Sequence, residues 1–386
     1  MWPVVYVQAF CTVFLLWKMC VLLFSGYKKH PYTFHAISVV FLAVLSPLPW
    51  MVSQMMPDLF PALVFLLAVV FVFAEQSRFA RFLLAVTLVF FLITHTANFL
   101  LLMGLCIGMG IFLFAVHAFR KDRKLFLRRV TALFCLGFFA PVFFMASNYH
   151  QGFGPVISPS SYAFMMSRMN DAGVLDEYLD ERCDDTDYVL CGYRGHLLRG
   201  DAFLWDASSP LNIGGWERLK AEFEGVLKEI FGSVHYATRF FGDSVLRSVD
   251  LFVHVGIDDY HAYGSDGPVF PRIRDYLPGE RESYESALQY RGELPGLAVF
   301  SGLYGVFFFI ALAGLFFLGV RKELLPFEAA LGYSAIVFLL TNAVIMATLS
   351  GVYTRYQGRA AWLLPFLALL FCLRVLARQG KSSSRR

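Results

Sequence analysis

Two short polar segments that could do chemistry interrupt the apolar N-terminal part of this sequence. Asp58 follows Pro57 and could act as a general base or a metal ligand. Capping of the helix that follows it is the alternative. His95 lies in the segment 94–98, Thr-His-Thr-Ala-Asn. Polar groups at membrane depth are costly and often mark a functional site, although hydrogen bonding between helices would also explain these residues.

A third polar segment, residues 350–359, carries two arginines four positions apart. Arg355 and Arg359 flank Tyr356. The planar guanidinium group binds phosphate oxygens through paired hydrogen bonds, so the segment predicts binding of a lipid phosphate or pyrophosphate. Salt bridges to an acidic part of the chain are the alternative.

The acidic residues concentrate in the segment 147–296. Asp258 and Asp259 are followed by Tyr260 and His261, and these four residues could supply metal ligands. Four adjacent residues cannot all point into one site, and most carboxylates in so acidic a segment are solvated. The sequence has no serine-hydrolase, zinc-protease or nucleotide-binding motif in a useful context.

These residues need a membrane-embedded scaffold to position them. Hydrophobic residues make up 58% of the 386-residue chain, charged residues 16%, and the mean hydropathy is +0.58. Soluble domains are about 45–50% apolar and about 25% charged. The apolar stretches are too long for barrel strands, so the composition predicts an all-α polytopic membrane protein embedded in a lipid bilayer. The basic excess lies in short loops and the tail, which does not favour nucleic acid as a partner.

A helix needs about 20 apolar residues to cross a bilayer, and this rule predicts about nine spans. The predicted domains are an N-terminal bundle at 1–146, an insert at 147–296, three spans within 297–377 and a basic tail at 378–386. Residues 82–119 could also form one long or broken helix. The predicted spans are residues 2–24, 36–56, 59–74, 82–95, 97–119, 130–146, 297–319, 325–349 and 361–377.

Charge predicts the orientation of these spans. The insert holds 24 of the 29 acidic residues but only 13 of the 33 basic residues, so its net charge is −11 and that of the remainder is +15. Basic loops stay in the cytoplasm. The pattern therefore predicts a bacterial inner-membrane protein with a periplasmic insert and a cytoplasmic C-terminus. With about nine spans, the N-terminus would lie outside.

The insert has the pattern of a mostly helical domain. Apolar residues recur at helical spacing in 162–181, 216–231 and 234–255, the last with Phe241, Val245, Val249 and Phe252 on one face. Such helices pack a small core, or lie on the membrane surface.

Two cysteines of the insert, Cys183 and Cys191, form an even pair on the oxidising side, which predicts a disulfide. A metal site is the weaker alternative, because no further ligand stands at zinc-site spacing.

Several stretches together resemble a group of uncharacterised bacterial inner-membrane proteins, which is in turn similar to the type-C (GT-C) integral-membrane glycosyltransferases. They are residues 46–58, Thr94-His95, Phe203-Leu204-Trp205-Asp206 and the segment from Tyr353 to Arg359. Type-C enzymes transfer a sugar from a polyprenyl-phosphate carrier on the outer face. The resemblance implies that Asp58 is a catalytic base and that His95 binds the acceptor.

The same resemblance implies that Arg355, Tyr356 and Arg359 hold the carrier phosphate. A divalent cation is a plausible cofactor only under this interpretation. The acidic residue of type-C enzymes lies in the first outer loop, between the first two spans, and that loop is absent here. We therefore expect a functional form with one more span upstream. The rival interpretation is a non-catalytic membrane scaffold whose insert docks a partner protein of unknown identity.

Overall fold

Helices make up 79% of the residues that the structure describes. The computed structural model describes residues 2–24, 31–259, 264, 269–294 and 296–383, with side chains as far as residue 378, and this part of the chain contains no strand. The α-helices are α1 (Trp2–Phe24), α2 (Pro31–Leu45), α3 (Leu48–Ser53), α4 (Phe60–Phe73), α5 (Arg78–Leu92), α6 (Ala97–Ala115), α7 (Arg123–Gly137), α8 (Phe139–His150), α9 (Ser161–Asp171), α10 (Val174–Arg182), α11 (Asp201–Trp205), α12 (Pro210–Gly214), α13 (Trp216–Gly232), α14 (Val234–Val253), α15 (Val269–Tyr276), α16 (Arg281–Ser286), α17 (Leu297–Val320), α18 (Pro326–Leu349), α19 (Thr354–Ala361) and α20 (Leu363–Ser383).

Six helical segments of the described chain are long and apolar enough to cross a membrane. Two of them join consecutive helices, α7 with α8 and α19 with α20. Two shorter apolar segments, Pro31–Leu45 and Pro57–Phe73, accompany them. The fold is therefore that of an all-helical, multi-pass membrane protein. The six segments are Trp2–Phe24, Ala97–Ala115, Arg123–His150, Leu297–Val320, Pro326–Leu349 and Thr354–Arg378.

Helix α4 forms the centre of the bundle. All of its residues after Phe60 are buried, because it is apolar on every side and other helices surround it. We call the end of the bundle that carries Asp58 and Arg359 the insert end. The opposite end, which carries Glu328 and Arg378, is the tail end.

One predicted span differs clearly from the helix that forms, and the predicted choice between one helix and two over 82–119 is resolved as two. The predicted span 36–56 ends early, because α2 stops at Leu45 and the chain turns before α3. Ser46 Oγ donates to the Leu42 carbonyl and accepts from the Leu48 amide, and Pro47 ends the helical hydrogen bonding. The stretch 82–119 forms two helices, α5 and α6, joined by the turn at His95.

The insert has a hydrophobic core of its own, built from α9 to α13 and the first part of α14. The predicted helix at 162–181 is broken by Gly173, whose φ of +71° is a left-handed conformation that favours glycine, and α9 and α10 result. Cys183 and Cys191 are joined by the predicted disulfide, with Cα atoms 5.4 Å apart.

Helix α14 buries a different face from the one that its sequence predicts. Phe241, Val245 and Val249 are 53%, 64% and 63% exposed, whereas Phe240 and Leu251 are buried. The second half of α14 leaves the insert core and packs along α18, so that its contact face is narrow.

Candidate functional site

A buried ion pair holds the insert end together. Arg359 Nη1 donates to Asp58 Oδ1 at 3.0 Å, and the two side chains are 0% and 7% exposed. Asp58 stands in the short 3-10 turn before α4, and its side chain makes no capping hydrogen bond there. The structure thus joins two predicted site residues and does not show the alternative role of Asp58 as a helix cap.

Arg359 is held by further contacts from α18 and its own helix. Its Nη2 donates to Asn342 Oδ1 at 2.9 Å, and Trp362 Nε1 donates to the Arg359 carbonyl. The Asn342 amide in turn donates to the Tyr356 carbonyl and to Gln357 Oε1, at 2.7 and 2.8 Å. Both terminal nitrogens of Arg359 are therefore occupied, which makes it a positioning residue rather than an exposed phosphate ligand.

Helix α19 can sit this deep because Gly358 has no side chain. A Cβ at Gly358 would lie 2.1 Å from the Gly256 carbonyl oxygen, so any larger residue would push the two backbones apart. This close approach holds Arg359 against Asp58. It also places Asp259, three residues after Gly256, at the start of α19.

The His95 turn lies beside the same ion pair. The His95 ring accepts a hydrogen bond at Nδ1 from the Ala97 amide at 3.0 Å, which satisfies the start of α6. The side-chain amide of Asn98 donates a hydrogen bond to the Phe91 carbonyl and so closes the turn. Burial, and next the positive charge of Arg359, lower the pKa of His95 to about 4, while Asp58 acts in the opposite direction. His95 is thus a neutral ring whose Nδ1 is already used.

Arg355 is the arginine of this segment with more capacity for a ligand, because no ion pair holds its guanidinium group within the described residues, although Nε is unpaired in both Arg355 and Arg359. Its guanidinium group lies over the Tyr353 and Tyr356 rings, 5.1 and 5.3 Å from their centroids. Its Nε is buried and has no hydrogen-bond partner within the described residues. An unpaired buried donor is uncommon and calls for an acceptor.

Asp259 of the insert contacts Arg355 through the backbone. Its two carboxylate oxygens accept from the Arg355 amide at 3.2 and 3.3 Å, at the positive end of α19. Burial raises the pKa of Asp259, and Arg355 opposes that rise. Arg355 therefore contacts a carboxylate of the insert, as the salt-bridge alternative predicts, but through its backbone amide. Arg359 instead pairs with Asp58, which lies outside the insert.

A polar cavity of about 510 Å³ lies next to this site, between the insert and the loop that precedes α19. Tyr353, whose ring contacts Arg355, lines it, and Tyr353 Oη donates to Asp201 at 2.6 Å. Three arginines also line the cavity, and sequence reasoning missed them because they come from three separate helices and loops. They are Arg168, Arg199 and Arg247, each of which pairs with an aspartate, and Asp171 lines the cavity beside them.

A metal site finds little support in the described part of the chain. No three of its His, Cys, Asp and Glu side chains are grouped so that they could hold an ion. Asp259 caps α19, and Tyr260 and His261 of the predicted ligand set lie outside the described residues. A divalent cation therefore enters none of the steps proposed below.

The fold and the site together define a multi-pass membrane protein with a buried charge network at one end. No family model, no curated protein and no solved structure matches the chain.

Proposed function

We propose that this protein binds an anionic lipid carrier at the insert end and takes part in envelope glycan assembly, as a glycosyltransferase-like protein that uses a polyprenyl-phosphate-linked sugar. One observation carries the proposal. Asp58, His95, Arg355 and Arg359 come from three distant segments, yet they lie together at the end of an apolar bundle, and Tyr353 beside Arg355 lines a polar cavity there.

Arg355 is the proposed phosphate ligand, with Tyr356 beneath its guanidinium group. It combines a positive charge with an unpaired buried Nε, and both favour a bound anion. Arg359 holds α19 in place. Because Arg359 occupies Asp58 Oδ1, Asp58 Oδ2 is the oxygen that would accept a proton from an acceptor hydroxyl group. His95 then bounds the acceptor side.

The course of the chain supports about nine crossings. Helix α4 runs from Asp58 at the insert end to Ala74, whose carbonyl lies 3.4 Å from Arg129 Nη1. Helix α5 returns to the His95 turn. Helices α1 and α2 pair in the same alternating way, because Gln8 contacts the Gln54 carbonyl while the Phe24 and Phe34 rings stack.

Counting α2, α4 and α5 with the six longer segments gives the predicted number of crossings. Together with the charge asymmetry, this supports a bacterial inner-membrane protein with a periplasmic insert and a cytoplasmic tail.

A non-catalytic scaffold is the second candidate. The observation that favours it is the Asp58–Arg359 pair itself, since a carboxylate already bound by a buried arginine is poorly placed to act as a base. The separate hydrophobic core of the insert also suits a domain that docks a protein partner.

Binding of a polyprenyl phosphate to the full-length protein in lipid nanodiscs tests the proposal. We expect Arg355→Lys to weaken binding at least about tenfold, because lysine keeps the charge but loses the planar fork. Arg321→Lys is the matched control, since Arg321 lies over the Phe317 ring in a similar way but just beyond α17, away from the site. Equal binding by both variants would contradict the phosphate site.

Transfer of sugar from a polyprenyl-phosphate donor separates the two candidates. Asp58→Asn should abolish transfer while leaving carrier binding intact if Asp58 is the base. Tight, stoichiometric binding of one protein by the full chain, together with no transfer by the wild type, would favour the scaffold.

A further inference from the structure

Helix α14 belongs to the insert by sequence, but its second half runs beside membrane-spanning helices. Arg168 marks where this begins, because its guanidinium group donates both to the Asp243 carboxylate of α14 and to the Ala347 carbonyl near the end of α18. From that level α14 continues for about ten residues along α18, towards the tail end.

The far end of α14 lies at the depth of the middle of α17. The Phe252 ring is 6.1 Å from the ring of Phe308, which stands midway along Leu297–Val320. At 1.5 Å per residue, Phe308 is roughly 16 Å from the start of its helix, about half the thickness of a bilayer core.

The chain then returns to the insert end along α17. A Cβ at Gly305 would lie 4.0 Å from Val255, and the Ile257 amide donates to Ser301 Oγ at 3.0 Å. The contacted residues of α17 thus move back towards its start, and Asp259 reaches the first turn of α19.

The backbone of residues 255–257, which returns towards the insert end, is shielded from lipid by the surrounding protein. Val255, Gly256 and Ile257 are buried, and the Ser301 hydroxyl satisfies the Ile257 amide. Non-helical backbone at this depth is tolerated only where protein or water covers it.

We propose that residues 244–258 form a re-entrant membrane segment, with one face of α14 against lipid and another lining a water-filled cleft. The inference is independent of the proposed function. It rests on the depth series along α17 and on the division of the surface of α14 described next.

The lipid-facing stripe continues the lipid-exposed surface of α18. An apolar groove of about 640 Å³ runs between the two helices, lined by Phe241, Val245 and Val249 on one side and by Leu340 and Val344 on the other. Leu340 and Val344 are 46% and 51% exposed on a helix long enough to span the membrane, so lipid acyl chains are the occupant that this continuity indicates.

The charged stripe lies on the opposite side of α14. Asp243, Arg247, Asp250 and His254 recur at helical spacing, and at 100° per residue they are centred well over 100° from the apolar stripe. Asp250 accepts from His254 Nδ1 and lies 3.8 Å from Arg247. Because Asp250, Arg247 and His254 are 37%, 48% and 56% exposed at membrane depth, they require water rather than lipid.

Photo-crosslinking in the full-length protein tests the lipid face. A benzophenone amino acid is placed at Val245 or Val249, and irradiation is done in vesicles of phosphatidylethanolamine and phosphatidylglycerol. We expect phospholipid adducts as abundant as those from Val306, an exposed residue of α17. Val234 is the matched control, since it is 84% exposed on the same face of α14 but precedes Asp243. It should give almost none.

Two outcomes would overturn the proposal. The first is equally low lipid adduct formation at Val234, Val245 and Val249, which places the whole helix in water. The second is a covalent dimer from Val245 or Val249, which makes the groove an interface between copies.

Cysteine labelling tests the charged face independently. His254→Cys is introduced after the five free cysteines are replaced by serine or alanine. We expect it to react with a membrane-impermeant maleimide at least about tenfold faster than Val249→Cys. Equal protection of the two positions would contradict the aqueous cleft.

Discussion

Each end of the bundle has a buried carboxylate paired with arginine from the last span, yet the two carboxylates differ in how many groups bind them. At the tail end, Glu328 is fully buried and binds both Arg374 and Arg378, at 3.0 and 2.5 Å. Its other oxygen accepts from the Leu325 amide and closes the first turn of α18. This site stabilises a helix terminus and leaves the Glu328 carboxylate fully used.

At the insert end, Asp58 pairs with one arginine that is itself fully buried, and the network around it is left incomplete. The Nε atoms of Arg355 and Arg359 and the Oδ1 atom of Asn98 are buried without partners in the described part of the chain. Unsatisfied groups beside a polar cavity indicate a place for a ligand. A buried pair of a carboxylate and an arginine is therefore common to both ends, and at the insert end a polar cavity also lies beside Tyr353 and Arg355.

The largest effect is expected from Arg359→Met, which leaves Asp58 buried without its partner. Breaking such a pair costs about 3–5 kcal/mol of unfolding free energy. Thermal unfolding in one fixed detergent measures it. Adding Asp58→Leu should recover much of the loss, because the unpaired charge is then gone. A single variant as stable as the wild type would mean that the pair contributes no more than a surface contact.

A smaller loss is expected from Glu328→Gln at the tail end. The variant loses charge-assisted hydrogen bonds worth about 1.5–3 kcal/mol together. Arg374 and Arg378 are 15% and 29% exposed, so water can replace part of what is lost. Carrier-lipid binding should remain at the wild-type level. If binding fell while the protein stayed folded, the division of labour between the two ends would be wrong.

The pH dependence of stability should come from the insert end. The pKa of His95 in the folded protein is lowered to about 4 from its usual 6.5, so the unfolded chain binds the proton first as pH falls. The stabilisation is complete above about pH 6.5 and is lost progressively towards pH 4, up to roughly 3 kcal/mol. Unfolding midpoints measured across this range test it.

His95→Asn is the control for this titration. Asparagine keeps an acceptor for the Ala97 amide but does not titrate, so its profile between pH 4 and 6.5 should be flatter than that of the wild type. Parallel profiles for the two proteins would assign the pH dependence to another group.

The smallest effect on stability is expected from Arg355→Lys, which retains the charge near Asp259. We expect the unfolding midpoint to change by less than about 0.5 kcal/mol equivalent, although the same variant should lose carrier binding. A large loss of stability would instead make Arg355 a second structural arginine, like those at Glu328.

Part of this arrangement could be predicted from the sequence because it depends on local composition. Long apolar stretches predict helices that can span a membrane, and two cysteines in one polar insert predict the disulfide that is present. The position of Asp58 at the start of an apolar helix follows from Pro57 before it. What the carboxylate binds does not, because its partner is 301 residues away.

Other features could not be predicted, because the spacing of apolar residues shows that a helix is amphipathic but not which of its faces packs against other helices. The stripe at Phe241, Val245 and Val249 predicted either a core face or a face on the membrane surface, and the structure leaves it exposed and buries Ser244 beside α18. The cavity arginines carry no common spacing, since Arg168 lies in α9 and Arg247 in α14.

The long separation between Asp58 and Arg359 also has a consequence in time. A ribosome that adds about 5–20 residues per second would need roughly 15–60 s to make the 301 residues between them. During that interval Asp58 lies just before a fully apolar helix, and Arg359, the arginine that pairs with it, has not yet been made. The newly made bundle therefore keeps an unpaired carboxylate until its last span has been made. A chain truncated before α19 would keep this unpaired carboxylate, and membrane quality-control proteases could recognise it.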